Sequence, residues 1–272
     1  MFRIFFKTAV RNISKNKFFA ILNVIGLALG MSLTLLYIAL LFFLNTFDNF
    51  HPGKERIYRI TTQVHDKQDN PRYASAPVTL AQKLKDFAGV EKVVRINGSL
   101  NEEATYGEKK IRIEGYFADP EFFEVFNFPF VKGSGASAIV NPNTIVLSQN
   151  EAQKIFGTKE AVGETLKLEG YGSFLVTGVI KNLPENTHFG FEAIASYSTL
   201  LSHQPTADSK DAWKAFKNNY VYFRLRSDAK VANIQRYLDE IAKSQYAKEA
   251  DKTSFKLQAL NKLFPVLSCT TR

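Results

Sequence analysis

The chain reads as an α+β protein: a single N-terminal transmembrane helix, then an exported α/β domain of β-α-β units carrying a β-rich insert. Three observations predict this. Phe18 to Phe47 is a run of thirty residues without Asp, Glu, Lys or Arg. Beyond it, short β-branched and aromatic runs alternate with stretches of helical spacing. The cations of the first seventeen residues stand on one side of the apolar run, which sets the direction of insertion.

Within the apolar run only Asn23 and Asn45 carry strongly polar side chains. About 20 such residues cross the hydrocarbon core, and thirty rise about 45 Å, so the C-terminal end should stand proud of the lipid. A helix satisfies its own backbone groups there, which is why lipid accepts it. Arg3, Lys7, Arg11, Lys15 and Lys17 precede the run with no acid among them. Cytoplasmic flanks collect Lys and Arg, so the N-terminus is expected inside and residues from about 48 onward outside. A cleaved signal has a shorter apolar region, about 7–15 residues, ending in small residues. Leu41-Phe42-Phe43-Leu44 is too bulky for that, which makes the run an uncleaved signal anchor.

About 225 residues remain after the anchor, enough for one large or two small domains with real cores. The net charge of +9 loses five units with the first seventeen residues, leaving +4 on the body. No basic block with interleaved aromatics occurs there, which argues against a nucleic-acid partner. The lone Cys269 cannot form an internal disulfide, so the exported body must rely on its apolar core.

Residues 2–17 predict an amphipathic helix, with Arg3, Lys7, Arg11 and Lys15 recurring every four residues. Phe2, Phe5, Phe6, Ala9 and Ile13 take the other side, so the segment suits the headgroup plane of the bilayer with its cations toward anionic lipid. Gly26 and Gly30 form a G-x-x-x-G, whose small residues let a second helix approach closely.

Arg56 to Val64 reads as a strand, Ala76 to Phe87 as a helix with Pro77 in its first turn, and Val90 to Ile96 as a strand, together a β-α-β unit. Lys109 to Tyr116 is a further strand. Asp119 then caps a short helix ahead of Pro120, and Phe122, Phe123, Phe126, Phe128 and Phe130 form a core cluster. Thr144 to Leu147 reads as a strand, Ser148 as the cap of a helix through Ile155, and Gly157 as its stop. Residues 162–168 and 174–180 make a strand pair, and 189–194 another apolar run. Residues 202–212 are polar and turn-rich. Residues 219–225 return to strand, 231–245 form an amphipathic helix, and 254–257 a last strand.

Chemistry-bearing patterns are absent. There is no G-x-x-x-x-G-K-[ST] to cradle phosphates, no H-E-x-x-H, no paired cysteines and no G-x-S-x-G. His51, His65, His188 and His203 are scattered through expected loops, and Asp and Glu stand singly on expected solvated faces. No catalytic, cofactor or metal residue can be named, and the chain is expected not to be an enzyme.

The residues nevertheless assemble into a pattern that resembles the N-terminal part of MacB/FtsX-type ABC transporter permeases, in the long form of Bacteroidetes. The matching stretches are Lys7 to Lys17 running into Asn23 to Gly30, and Phe50-His51 through Arg56 to Arg59. Further matches are Asp119 through Phe130 with Gly133, Val146-Leu147-Ser148 with Phe156-Gly157, and Val162-Gly163. Val176 to Ile180 followed by Leu183-Pro184-Glu185-Asn186 completes the set. The resemblance covers residues 1 to about 260 and implies a MacB periplasmic core-like fold. On it, 48–140 with 214–260 form a porter-like part and 141–213 an inserted part. It implies no ATP hydrolysis by the chain itself, a separate or fused ABC ATPase subunit as partner, a homodimer or paired permease, and a periplasmic adaptor. Residues 261–272 do not look like the family's continuation, so the chain is expected to be a truncated or frameshifted product stopping before three later membrane helices.

Two functions follow. One is a permease subunit, or its N-terminal fragment, in an ABC-type export or mechanotransmission system, coupling a cytoplasmic ATPase to work on an envelope substrate. The alternative is a membrane-anchored periplasmic interaction or regulatory domain acting without ATP.

Overall fold

A computed structural model describes residues 2–65, 70–204, 213–214, 216–246 and 253–263, apart from the side chains of residues 9, 10, 12 and 13. Residues 264–272 of the atypical tail, Cys269 among them, and residues 205–212 of the expected polar loop 202–212 lie outside the described residues. Two compact units are present, Met1–Thr46 and Phe47–Arg272.

The first unit is α1 (Phe2–Lys15) and α2 (Lys17–Asn45), separated at Asn16, whose backbone leaves the helical region at φ −114°, ψ 51°. Arg3, Lys7, Arg11, Lys15 and Lys17 are exposed, as are Phe2, Phe5 and Phe6; the side chains of Ala9 and Ile13 are not among the described ones. No residue of α2 is buried. Among the described residues α2 alone is long and apolar enough to cross a membrane. Thr34 of α2 donates to the Gly30 carbonyl at 2.8 Å, and the C-cap Thr46 donates to the Phe43 carbonyl at 2.7 Å. Such back-bonding keeps a polar group satisfied in apolar surroundings.

The body is built on a mixed sheet. β1 (Ile57–Val64), α3 (Thr79–Lys85) and β3 (Val90–Tyr106) form the predicted β-α-β unit, with a two-residue strand β2 (Arg72–Tyr73) against β1. Hydrogen bonds place β10 (Asn219–Leu225) between β1 and β3, antiparallel to both. α7 (Val231–Gln245) then leads to β11 (Thr253–Ala259), which pairs with the free side of β1. The result is two interlocked split β-α-β units, order β11-β1-β10-β3. Leu80 and Leu84 of α3 and Ile234, Leu238 and Ile241 of α7 bury into one cluster with Ile60, Val93, Val221, Phe223 and Phe255 of the strands. The 3.6-residue period of α7 presents one apolar stripe, and the sheet covers it.

Residues 109–203 and the far half of β3 make the rest. β4 (Lys109–Ala118) folds back on β3, and α4 (Phe122–Phe126) and the short strand β5 (Phe130–Gly133) follow. β6 (Thr144–Ser148), α5 (Gln149–Phe156), β7 (Thr165–Leu168), β8 (Gly172–Ile180), β9 (Ala193–Ser196) and α6 (Tyr197–His203) complete it. β4 pairs with β9, β9 with β6, β6 with β8, β8 with β7, and β7 returns to β3. The hydrogen-bonded path therefore closes on itself, and closure leaves no edge within the ring. Leu100, Ile113, Phe117, Ile145, Leu147 and Phe174 share its buried cluster. The parallel β4–β9 pairing depends on Gly115, where an added Cβ would sit 2.0 Å from the Ala193 carbonyl oxygen.

Several local expectations change. β3 does not stop at Ile96 but runs through a bulge between Asn97 and Leu100. There the Asn97 side chain accepts the Ser99 N–H, and the Gly98 N–H finds the Asn218 carbonyl. Asp119 does not cap α4 with its side chain. Both its oxygens accept from Arg95, through the backbone N–H, Nε and Nη2, each at 2.9 Å. α6, unread in the sequence, occupies Tyr197–His203. Ser148 does cap α5, accepting the Glu151 N–H, and Gly157 ends it at φ 66°.

Candidate functional site

The chain leaves α2 and at once places two polar side chains inside the body. Asp48 is 0% exposed and His51 2%. Asp48 adopts φ 55°, a left-handed conformation that Asp tolerates better than most residues, and its N–H donates to the Asn186 carbonyl at 2.9 Å. Its Oδ1 accepts from the Thr187 hydroxyl at 2.7 Å and the His188 N–H at 3.3 Å, while Oδ2 lies 2.7 Å from His188 Nδ1. On the far side of that ring, Nε2 stands 3.0 Å from the hydroxyl of Tyr222 on β10. A neutral ring satisfies these contacts, and a protonated one donating from both nitrogens does so too, because the phenol oxygen also accepts. Neutral His188 donates from Nδ1 to Asp48 and accepts at Nε2 from the Tyr222 O–H.

His51 closes the cluster from below. Its Nδ1 stands 2.6 Å from the Phe126 carbonyl oxygen and donates to it. Its Nε2 makes no hydrogen bond and faces Asp48 Oδ1 at 3.7 Å, too far for one. Rings of Phe50, Phe126, Phe128 and Phe189 pack round it with centroids 3.9–6.1 Å away. Sequence predicted the phenylalanine cluster as core, and it is core: it supplies the dry wall against which the lead-in segment 47–51 is held.

The electrostatics follow from this packing. Burial by itself pushes the Asp48 carboxyl up, but the His188, His51 and Thr187 side chains outweigh it and hold the group below the usual carboxylate range. Burial dominates at His188 and lowers its proton affinity, against the pull of Asp48 and with the push of the Arg59 charge. Burial likewise pushes the Tyr222 phenol up, so it stays a donor at every physiological pH. Arg59 of β1 donates from Nη2 to Gln258 at 2.9 Å.

The histidines and carboxylates were expected to be dispersed and solvated. Two of the four histidines instead converge on Asp48, across 140 residues of sequence. Asp119 and Glu151 are also buried, against the expectation of surface charge. A signal was available: His188 is followed by Phe189-Gly190-Phe191, and His51 directly follows Phe50. Among the described residues no group of three His, Cys, Asp or Glu side chains is placed to hold a metal ion. The Asp48 cluster is buried, and its hydrogen bonds tie residues 48 and 51 to the loop 186–188, to β10 and to the end of α4. A cavity of about 390 Å³ lies elsewhere, at the start of α7, lined by Phe87, Gly89, Asp228, Lys230 and Asn233 among others, and it holds no nucleophile–base pair.

A family model for the MacB-like periplasmic core domain matches residues 20–241. The chain belongs to the MacB-like periplasmic core domain family. Solved structures agree on the fold. A domain of a putative permease protein from Porphyromonas gingivalis superposes with a TM-score of 0.65 at 17% identity, covering 78% of this chain and 93% of that one. The periplasmic region of MacB from Actinobacillus actinomycetemcomitans gives 0.54 at 15%, covering 80% and 94%. The extracellular domain of the noncanonic ABC-type transporter YknZ from Gram-positive bacteria gives 0.52 at 18%, covering 74% and 99%. No curated protein matches the chain. The body of this MacB-like chain is thus a periplasmic core-type domain of the ABC permease kind, preceded by an apolar helix.

The residues singled out in the sequence belong to the first unit, and the Asp48 cluster to the second. Gly26 and Gly30 lie one turn apart on α2, and an added Cβ at either meets open space. Arg3, Lys7, Arg11 and Lys15 lie on α1, and Lys17 opens α2.

Proposed function

We propose that this MacB-like chain is the N-terminal anchor and exported core of a permease subunit in an ABC-type export or mechanotransmission system. It does mechanical work on an envelope substrate, driven by a cytoplasmic ABC ATPase subunit, and does not turn a substrate over itself. The observation that carries the reading is the succession, within one chain, of an apolar helix with no buried residue and a MacB-like core.

In this reading the N-terminus lies in the cytoplasm, α1 rests on the inner face of the inner membrane through Arg3, Lys7, Arg11, Lys15 and Lys17, and residues from about 48 are periplasmic. Gly26 and Gly30 supply the close face on which α2 pairs with the helix of a second copy or a paired permease. Residues 48–140 with 214–260 act as the porter-like part and 141–213 as the insert that faces a periplasmic adaptor.

The test is purification of the chain, tagged at its own chromosomal locus, from membranes in mild detergent. A co-purifying protein with a G-x-x-x-x-G-K-[ST] loop is expected. Recovery of envelope proteins with no such ATPase would favour instead the anchored interaction domain acting without ATP.

A further inference from the structure

The hydrogen-bonded order of the sheet begins at β11 and ends at β5, and its two outer strands are built differently. β5 has four residues, is interrupted by a bulge between Phe130 and Lys132, and carries Lys132 in an ion pair with Glu160. Short length, a bulge and a lysine are ordinary means of keeping a strand edge from pairing with another chain. β11 has neither the shortness nor the bulge. It runs for seven residues without proline and holds its register to β1 unbroken, from Thr253 against Val64 to Ala259 against Tyr58. Among the described residues β1 is its only strand partner. A regular edge of this kind is a template for a further strand.

Backbone groups alternate sides along a strand of an antiparallel pair. The Lys256 carbonyl faces β1, where it accepts from the Thr61 hydroxyl. Phe255 and Leu257 therefore turn their N–H and C=O groups to the outer side. Two of these outward groups are already engaged. Gln235 of α7 donates from Nε2 to the Phe255 carbonyl at 2.9 Å, and its Oε1 accepts the Leu257 N–H at 3.3 Å. A neighbouring strand would bring the same two partners, an N–H for the carbonyl at 255 and a C=O for the N–H at 257. Asp239, one turn further along α7, accepts from the same Nε2 at 2.9 Å. A carboxylate only accepts, so Asp239 fixes which end of the carboxamide meets which backbone group.

We propose that Gln235 is an edge guard: its carboxamide, oriented by Asp239, stands on the outer side of β11 in place of a strand and keeps two copies of this chain from pairing β11 to β11. The second copy is the occupant to be kept out, because it presents the identical strand and two such edges are self-complementary when antiparallel. With Lys256 opposite its own counterpart, Phe255 and Leu257 of one copy face Leu257 and Phe255 of the other, and both pairs use the outward groups. That register needs the Phe255 carbonyl and the Leu257 N–H of each copy, the two groups that Gln235 holds. The guard goes beyond the permease reading and does not depend on it.

The experiment is disulfide crosslinking of the full chain in its membranes, in a Cys269→Ser background carrying Lys256→Cys. In a non-hydrogen-bonded antiparallel pair the two Cα atoms stand about 4.5 Å apart, within reach of a disulfide. With Gln235 in place, little crosslinked dimer should form. Adding Gln235→Ala should raise its rate of formation roughly ten- to hundredfold, the effect of two hydrogen bonds of ordinary net strength. Glu169→Cys, exposed and outside β11, registers chance collision and pairing through α2, and should not respond to Gln235→Ala. Equal crosslinking at position 256 with and without Gln235, or an equal rise at position 169, overturns the guard. If Gln235→Ala does not fold, hydrogen exchange of the wild-type chain, resolved to single amides, decides. The Leu257 N–H should exchange as slowly as that of Lys256, which faces β1. Exchange of Leu257 at the rate of an unpaired edge amide overturns the proposal.

Discussion

Helices α2 and α7 are rich in the same aliphatic side chains, yet they keep them from water by different means. In α7, Ile234 and Leu238 are 0% exposed, packed on the sheet through one stripe. In α2, Leu33 and Leu35 are more than 60% exposed, and apolar residues cover the whole circumference. A helix that is apolar all round finds its cover outside its own fold. What stabilises α7 belongs to the protein; what stabilises α2 is the bilayer and any helix packed there. The body can therefore fold and hold its Asp48 cluster while the helix answers to lipid.

The sharpest way to break that comparison is a matched pair of truncations. Leu238→Ala should destabilise the body by about 2–5 kcal/mol, the range for emptying a buried leucine site. Leu35→Ala should leave the body's urea unfolding in micelles within about 0.5 kcal/mol. Equal losses would mean that α2 is a core helix after all. Next in size, Leu33→Arg places a charge near the middle of α2 and should cost about 2.5–3.5 kcal/mol of membrane insertion, read by fractionation of the expressed chain. An unchanged membrane fraction would contradict the spanning assignment.

The Asp48 cluster gives a smaller, pH-marked effect. The Asp48 carboxyl is held below its ordinary value of 3.8, so its contribution is complete above that value and is lost as pH falls through it. Asp48→Asn removes the charge and turns one of the two buried acceptor oxygens into an NH2 donor, and should lower stability by about 1–3 kcal/mol at neutral pH. It should also flatten the acid limb of the stability curve below pH 3.8, and an unaltered limb would show that other carboxylates carry it. Smallest for the body is Gly30→Leu. Helix–helix crosslinking in membranes should fall while the body's unfolding midpoint does not move. Unchanged crosslinking would remove Gly26 and Gly30 from the packing face.

What could be read ahead of the structure divides along the same physical line. Elements whose signal is local were legible: the charge-free run of α2, the stripe of α7 with the bounds 231–245, the Ser148 cap and the Gly157 stop. Elements decided by distant partners were not. β3 passes through Asn97-Gly98-Ser99, a polar turn signature, because Asn218 and Asn219 meet it from more than a hundred residues away. The Asp119 cap lost to Arg95 for the same reason: a bidentate guanidinium outcompetes a single backbone N–H. The Asp48–His188 bond joins the end of the anchor to a loop after β8, and no spacing rule links the two.

The central claim is that α2 divides the chain between two compartments. In a Cys269→Ser background, cysteines placed at Lys15 and at exposed Glu169 are exposed to a membrane-impermeant maleimide applied to spheroplasts. Labelling of position 169 alone, with position 15 reached only after the membrane is broken, is the predicted result. Labelling of both from outside, or of neither, contradicts it.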